Sequence, residues 1–361
     1  MHLQLNPGFK IVLGLALLGI ALSVPAASQA QSGPAPASST QTSAQSVSLD
    51  FVVTDKAGKP VSGLSQSDFT LTDNGQPVKF SSFQATDLSG PTAVSSDSLP
   101  EIILVFDAVN VTVSDVANER LSVSKFLRQN GGHLAAPITV LVFTNKGITD
   151  QLPGSTDGND LATKIDHLTG SFPTITDDAG IHGTEERYDV SVNTFMNLVQ
   201  ASKSIPGKKM MIWLGHGWPM LEDLNAQIEP KAEQHVFDSL VKALNQMREE
   251  RMTFSVAQLG SPDDSTYRYQ VYMKGVKAAK KASFSNLTEQ VLAVQSGGRV
   301  LGPDNDLPGQ LAACISDANT FYTVSFDRPK AAGRDEYHEL KIQVGKPGLT
   351  ARTSIAYYNE P

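Results

Sequence analysis

The chain has 361 residues, 40% of them hydrophobic, enough to bury a large core and to form about two folded units. Its formal net charge is -8 with the acidic excess spread out, so nucleic acid is not the expected partner, because phosphate neutralisation needs a basic face. The single cysteine, Cys314, rules out an intrachain disulfide, and packing alone must hold the chain together.

Lys10 precedes the apolar run Ile11 to Leu22, and Ser28-Gln29-Ala30 fits a small-x-small cleavage site. A short apolar run with that exit reads as a secretory signal peptide over 1–30, with an uncleaved anchor as the alternative. Residues 31–45 hold no large apolar side chain and read as a flexible linker. No later stretch is long and apolar enough to span a membrane, so the expected location is secreted or periplasmic.

Order is expected from Val47, where Val47 to Val53 begins as a strand. Asp68 to Thr72 alternates, Asp73-Asn74-Gly75 is hairpin chemistry, and Val78 to Phe83 returns. Three strands over 46–86 are too few to stand alone. After a polar joint, Glu101-Ile102-Ile103-Leu104-Val105-Phe106-Asp107 reads as a strand buried on both faces. Val116, Ala117, Leu121, Val123 and Leu127 give a helical stripe ended by Gly131-Gly132.

Ile138 to Phe143 is the next strand, and Asn145-Lys146-Gly147 turns it into an antiparallel neighbour, Ile148 to Leu152. A short helix carries Leu161, Ile165 and Leu168, capped by Asp157 or Asn159. A loop from Thr169 to Gly183 leads to a helix marked by Val192, Phe195, Met196 and Val199. Met210 to Leu214 is a buried strand that exits at Gly215-His216-Gly217-Trp218-Pro219. A long amphipathic helix through Phe237, Leu240, Val241, Leu244 and Met247 leads to a strand over Thr253 to Leu259.

Lys274, Lys277, Lys280 and Lys281 fall at helix-like spacing and read as a solvated basic face. Asn286 and Glu289 fit a capping box. Val300-Leu301 reads as a short edge strand. Leu307 to Ala318 reads as a helix opened by Pro308, with Cys314 on its apolar stripe. Phe321 to Phe326, Tyr337 to Val344 and Thr350 to Tyr358 end the chain in β-structure. Strands at both ends of the chain, 46–86 and 319–361, are expected to build one β-sandwich split by an α/β unit over 99–318.

Several segments in this order resemble the VWFA-related family first described from acidobacteria. They are Val52 to Leu64, Asp68-Phe69, Asp73-Asn74-Gly75, Val105 to Asn110, Pro206 to Trp213, Gly217-Trp218-Pro219, Ser296 to Arg299, Tyr322 to Phe326 and Tyr357-Tyr358. The resemblance runs from Val47 to the end. It implies a doubly wound, mostly parallel six-stranded von Willebrand factor type A sheet, Rossmann-like, with flanking β segments and an exported location. Such domains bind Mg²⁺ at the sheet's carboxyl edge through Asp-x-Ser-x-Ser, a loop threonine and a later aspartate.

In this chain Asp107 matches the first carboxylate and Thr184, after Gly183, the loop threonine. Val109 and Val111 stand at the serine positions and His216 at the later aspartate. Two of five oxygen ligands make a degenerate site that should hold Mg²⁺ poorly. Asp107 and His216 are instead expected to pair, and a Zn²⁺ site of Asp107, His182 and His216 is the other metal reading.

The rim to be tested is therefore Asp107, Asn110, Thr184, His216 and Trp218, with Tyr267 and Tyr269 as further anchors. Gly-x-Ser-x-Gly, His-Glu-x-x-His and phosphate-loop signatures are absent from the sequence. The expected function is an adhesion-type module holding a protein or surface polymer. An envelope enzyme using Asp107 and His216 is the alternative.

Overall fold

The computed structural model describes residues 46–88, 99–168, 180–221, 229–260 and 267–360. The expected signal peptide and linker, and most of the loop 169–183, lie outside these residues.

Strand β5 (Glu101–Asp107) is buried along its length apart from its first residue. Its side chains alternate between two cores, Ile103 and Val105 in one and Ile102, Leu104 and Phe106 in the other. That alternation is why the run is apolar throughout: both faces of the sheet are covered by helices. β8 (Lys209–Leu214) repeats the pattern, sending Met211 and Trp213 to one core and Met210, Ile212 and Leu214 to the other.

The sheet is completed by β6 (His133–Thr144), β7 (Gly147–Asp157), β9 (Met252–Leu259) and β10 (Val300–Asp304), in the order β10-β9-β8-β5-β6-β7. All neighbours are parallel except β6 and β7, which the turn at Asn145-Lys146-Gly147 makes antiparallel. This six-stranded, mostly parallel sheet, flanked by helices and accompanied by antiparallel sheets, is consistent with a VWA-like fold. Strand order reverses between β5 and β8, and a crevice at such a switch point is where open α/β sheets place ligands. Asp107 ends β5 at that point.

The helices are α1 (Val113–Leu127), α2 (Gly158–Asp166), α3 (Gly180–Ala201), α4 (Pro230–Glu249), α5 (Glu289–Gln295) and α6 (Leu307–Asn319). Asp157, not Asn159, caps α2. On α1 the expected stripe is only half right. Leu121 is 68% exposed, and the buried face runs Val116, Glu119, Val123 and Leu127. A carboxylate sits where an aliphatic side chain is the ordinary choice. α6 buries Cys314, whose thiol is pushed up to about 12, chiefly by burial, and is chemically quiet. Among the described residues no helix is long and apolar enough to cross a membrane.

Strands from the two chain ends build two four-stranded antiparallel sheets. β1 (Ser46–Thr54) and β4 (Ser82–Asp87) flank β11 (Thr320–Asp327), with β13 (Thr350–Thr353) outside β1. β2 (Phe69–Asp73) lies between β3 (Gln76–Val78) and β12 (Glu336–Val344), and β14 (Ala356–Asn359) pairs with the start of β12. Two single strands of the sequence reading are each divided between the sheets: 78–83 into β3 and β4, and 350–358 into β13 and β14.

The two chain ends interlock through aromatic rings. Phe51, Phe69 and Tyr322 lie with centroids 4.9 to 5.3 Å apart. Each comes from a different strand, so neither end of the chain can bury its rings without the other.

Two anions, the mostly buried Asp50 and the buried Asp317, tie this sandwich to the α/β unit. Asp50 of β1 accepts hydrogen bonds from Arg251 at 3.0 and 3.1 Å and from Thr323 at 2.7 Å, with Lys208 at 3.5 Å. Burial opposes its ionisation, but Lys208 and Arg251 outweigh burial and hold the carboxyl below its ordinary range. Asp317 of α6 receives Arg299 and, from β13, Arg352.

Candidate functional site

The site is built where β5 ends. The chain turns tightly after Asp107, and short Asp side chains cap such turns by accepting from the next amides. Asp107 Oδ1 accepts from the main-chain N–H of Val109 at 2.8 Å and of Asn110 at 2.9 Å. Its Oδ2 accepts from Asn110 Nδ2 and Trp213 Nε1, each at 2.8 Å. Asn110 Nδ2 also reaches Ser191 Oγ on α3 at 2.9 Å, which ties the turn to a third element. The carboxyl is fully buried. Burial raises its pKa, and the bonds from Asn110, Trp213 and Val109 work against that rise.

Gly215 follows β8, and a Cβ there would lie 3.1 Å from the Asp107 Cβ. That close approach packs the β8 exit onto the carboxylate. The next residue, His216, turns away. Its side chain is 41% exposed, and Nε2 stands 3.8 Å from Asp115 Oδ2 on α1. The expected Asp107–His216 pair is not formed, because four N–H donors already fill Asp107 and Asp115 offers the imidazole a partly exposed carboxylate.

Trp218 is also displaced from its expected role. It is 3% exposed and packs edge-on against Trp213, with centroids 5.1 Å apart, and against Phe195 at 5.7 Å. Thr184 lies half-buried on α3, which starts at Gly180, so His182, Gly183 and Thr184 belong to a helix and not to a loop. Tyr267 is 55% exposed and Tyr269 half-buried.

These residues do not fit a metal. The Asp107 oxygens face N–H donors, Val109 and Val111 are buried and apolar, and His216 points to Asp115. His182 is 89% exposed beside Glu185 on its own helix, away from any Zn²⁺ set. Among the described residues no group of three or more His, Cys, Asp or Glu side chains is arranged to hold an ion.

What sequence reasoning missed lies beneath the rim. Glu119 of α1 and Glu289, the first residue of α5, are both fully buried and within electrostatic reach of each other and of Asp107. Among the described residues neither Glu119 oxygen has a hydrogen-bond partner, nor does Glu289 Oε2. Gln258 and Gln290 add two more unpartnered side-chain oxygens. Gly217 leaves them room: a Cβ there would meet Gln290 Nε2 at 2.5 Å and Gln258 Nε2 at 3.3 Å.

Burial pushes both glutamates well above the ordinary carboxylate range, and their neighbouring carboxylates push them further. The signal for Glu119 was its place on the 116-119-123-127 stripe. Glu289 was masked by its fit to a capping box that Ser283 and Asn286 in fact form.

The sign of the pH dependence follows. A raised carboxyl pKa contributes stability that is full below the unfolded value near 4.5 and is lost as pH rises through the folded value. Glu119→Gln removes the ionising group. It is expected to be nearly neutral in stability at acid pH and to gain about 1–2 kcal/mol over wild type at alkaline pH. Urea unfolding across the pH range checks this. An equal change at every pH would show that Glu119 does not titrate in the fold.

No family model and no curated protein matches the chain. Among solved structures it is similar to the human COPII-coat protein Sec24c, with TM-score 0.36 and 10% identity over 73% of this chain and 44% of that one. It is also similar to the pilus adhesin SpaC from Lactobacillus rhamnosus GG, with TM-score 0.33 and 10% identity over 83% and 49%. A third is the PilB minor pilin from Streptococcus sanguinis, with TM-score 0.34 and 11% identity over 62% of each chain. The chain thus spans about half the length of the first two. At these scores none of the three carries an argument about function.

Proposed function

We propose that the chain is an exported, VWFA-type binding module that engages a protein or surface polymer over the rim after β5 and β8, without a metal in the contact. In this reading residues 1–30 direct export, 31–45 tether, 99–318 form the binding domain, and 46–86 with 319–361 form the supporting sandwich. The observation that carries it is the saturation of Asp107. Its four internal bonds make it a brace that fixes the rim's shape and leave no lone pair for substrate or ion. The contact surface is then set by what stands outside the brace, namely Val113, 64% exposed, with Asp115 and His216. The enzyme alternative loses its central pair, because His216 lies against Asp115.

The test is affinity capture from envelope extract with wild type and a Val113→Asp/His216→Ala variant. Both positions are exposed, so the variant is expected to fold normally by circular dichroism. It is expected to lose the partner that wild type retains. Recovery of the same partners by both proteins would remove the rim from the function.

A further inference from the structure

Between Asp264 and Glu289 the chain has no acidic residue and five basic ones, in a protein whose acids outnumber its bases 37 to 29. Arg268, Lys274, Lys277, Lys280 and Lys281 are all exposed. Some exposed cations elsewhere find acids, as Arg128 does with Asp166, Lys164 with Asp160 and Lys346 with Asp68. Among the described residues none of these four lysines has an acidic partner, and Lys277 instead lies 5.4 Å over the Tyr337 ring.

The backbone beneath them is fixed. Val276 and Ala282 are buried in the core beside α4, and the Val276 carbonyl accepts from Tyr358 Oη at 2.8 Å. The belt is not purely polar. Of the four large apolar side chains left exposed among the described residues, two are here, Tyr267 at 55% and Val271 at 77%.

We infer that this belt docks the protein onto an anionic lipid bilayer surface. Unpaired lysines near such a surface are attracted to it, each by an increment that falls off within a Debye length. Stable attachment needs a second signal besides charge, and short apolar tips between the cations supply it. Val271 decides for lipid over a dissolved polyanion, which gains nothing from a bare aliphatic side chain. Tyr267 has the amphipathic ring suited to headgroup depth. The acidic remainder of the protein is repelled by the same surface, so contact through the belt also sets orientation.

The experiment is co-sedimentation of the full chain with phosphatidylcholine vesicles, with and without phosphatidylglycerol. Wild type is expected to bind only the anionic vesicles and to be released by salt. Lys274→Glu/Lys280→Glu/Lys281→Glu is expected to bind about a hundredfold more weakly, and Val271→Asp about tenfold more weakly. Failure of wild type to bind anionic vesicles overturns the inference, as does undiminished binding by the triple variant. Equal binding of polyphosphate by wild type and Val271→Asp, with vesicle affinity unchanged by that substitution, would make the belt a polyanion site and also overturn it. The Val113→Asp/His216→Ala protein should bind vesicles as wild type does, so the rim and belt readings fail separately.

Discussion

Asp107→Ala is expected to destabilise the fold by about 3–5 kcal/mol in urea unfolding, because it strands buried donors and not merely a carboxylate. Two main-chain amides, Val109 and Asn110, and two side-chain donors, Asn110 Nδ2 and Trp213 Nε1, converge on it at 2.8 to 2.9 Å. Each buried donor left unpaired costs about 1–3 kcal/mol, and bonds to an ionised acceptor sit at the upper end. The total stays below the simple sum, since the turn after β5 can relax and admit water.

Asp107→Asn keeps an acceptor for the two amides but turns an NH₂ toward two donors, so about half the loss is expected. Trp213→Phe removes one bond and should cost about 1 kcal/mol. The predicted order is therefore Asp107→Ala, then Asp107→Asn, then Trp213→Phe. A loss under about 1 kcal/mol for Asp107→Ala would mean that the brace does not hold the rim.

Parts of this arrangement were legible in the sequence for identifiable reasons. β5 and β8 had to be unbroken apolar runs because both of their faces are covered, so their place in the chain could be read directly. The antiparallel β7 followed from the chemistry of its turn. The division of 350–358 between two sheets could not be read, because alternation continues through Ser354-Ile355 while hydrogen bonding moves from β1 to β12.

At the site, the position of Asp107 was legible but its bonding was not. Trp213 reaches it only because β8 lies parallel to β5 with Val105 opposite Trp213, a register fixed by packing. The sequence places Asp107 and His216 at the ends of neighbouring strands, and that much is correct. It says nothing of Asp115, which α1 brings beside the imidazole. Glu119 was missed because a charge on a helix is by default assigned to the solvent face.

Asp317→Ala is expected to cost about 3–4 kcal/mol and to weaken the coupling between the sandwich and the α/β unit. Its carboxylate is buried and receives Arg299 Nε and Nη2 from just before β10, and Arg352 Nη2 from β13. Arg299 also donates to the Gly58 carbonyl at 2.9 Å, and Arg352 to the Gly297 carbonyl at 3.0 Å. One anion therefore organises two guanidinium groups that span both units.

Removing that anion leaves two cations facing each other at a junction with little water, which is costlier than losing a surface pair. Because the pair is buried, the loss should persist at high salt. The remaining junction anion, Asp50, cannot substitute, since its oxygens are engaged by Arg251, Lys208 and Thr323. Wild type is expected to unfold in one transition. Asp317→Ala should separate the intrinsic fluorescence of Trp213 and Trp218, which report the α/β core, from the far-ultraviolet signal of the whole chain. Coincident transitions with a loss below about 1 kcal/mol would show that the sandwich is held by apolar packing, and that the clasp contributes alignment alone.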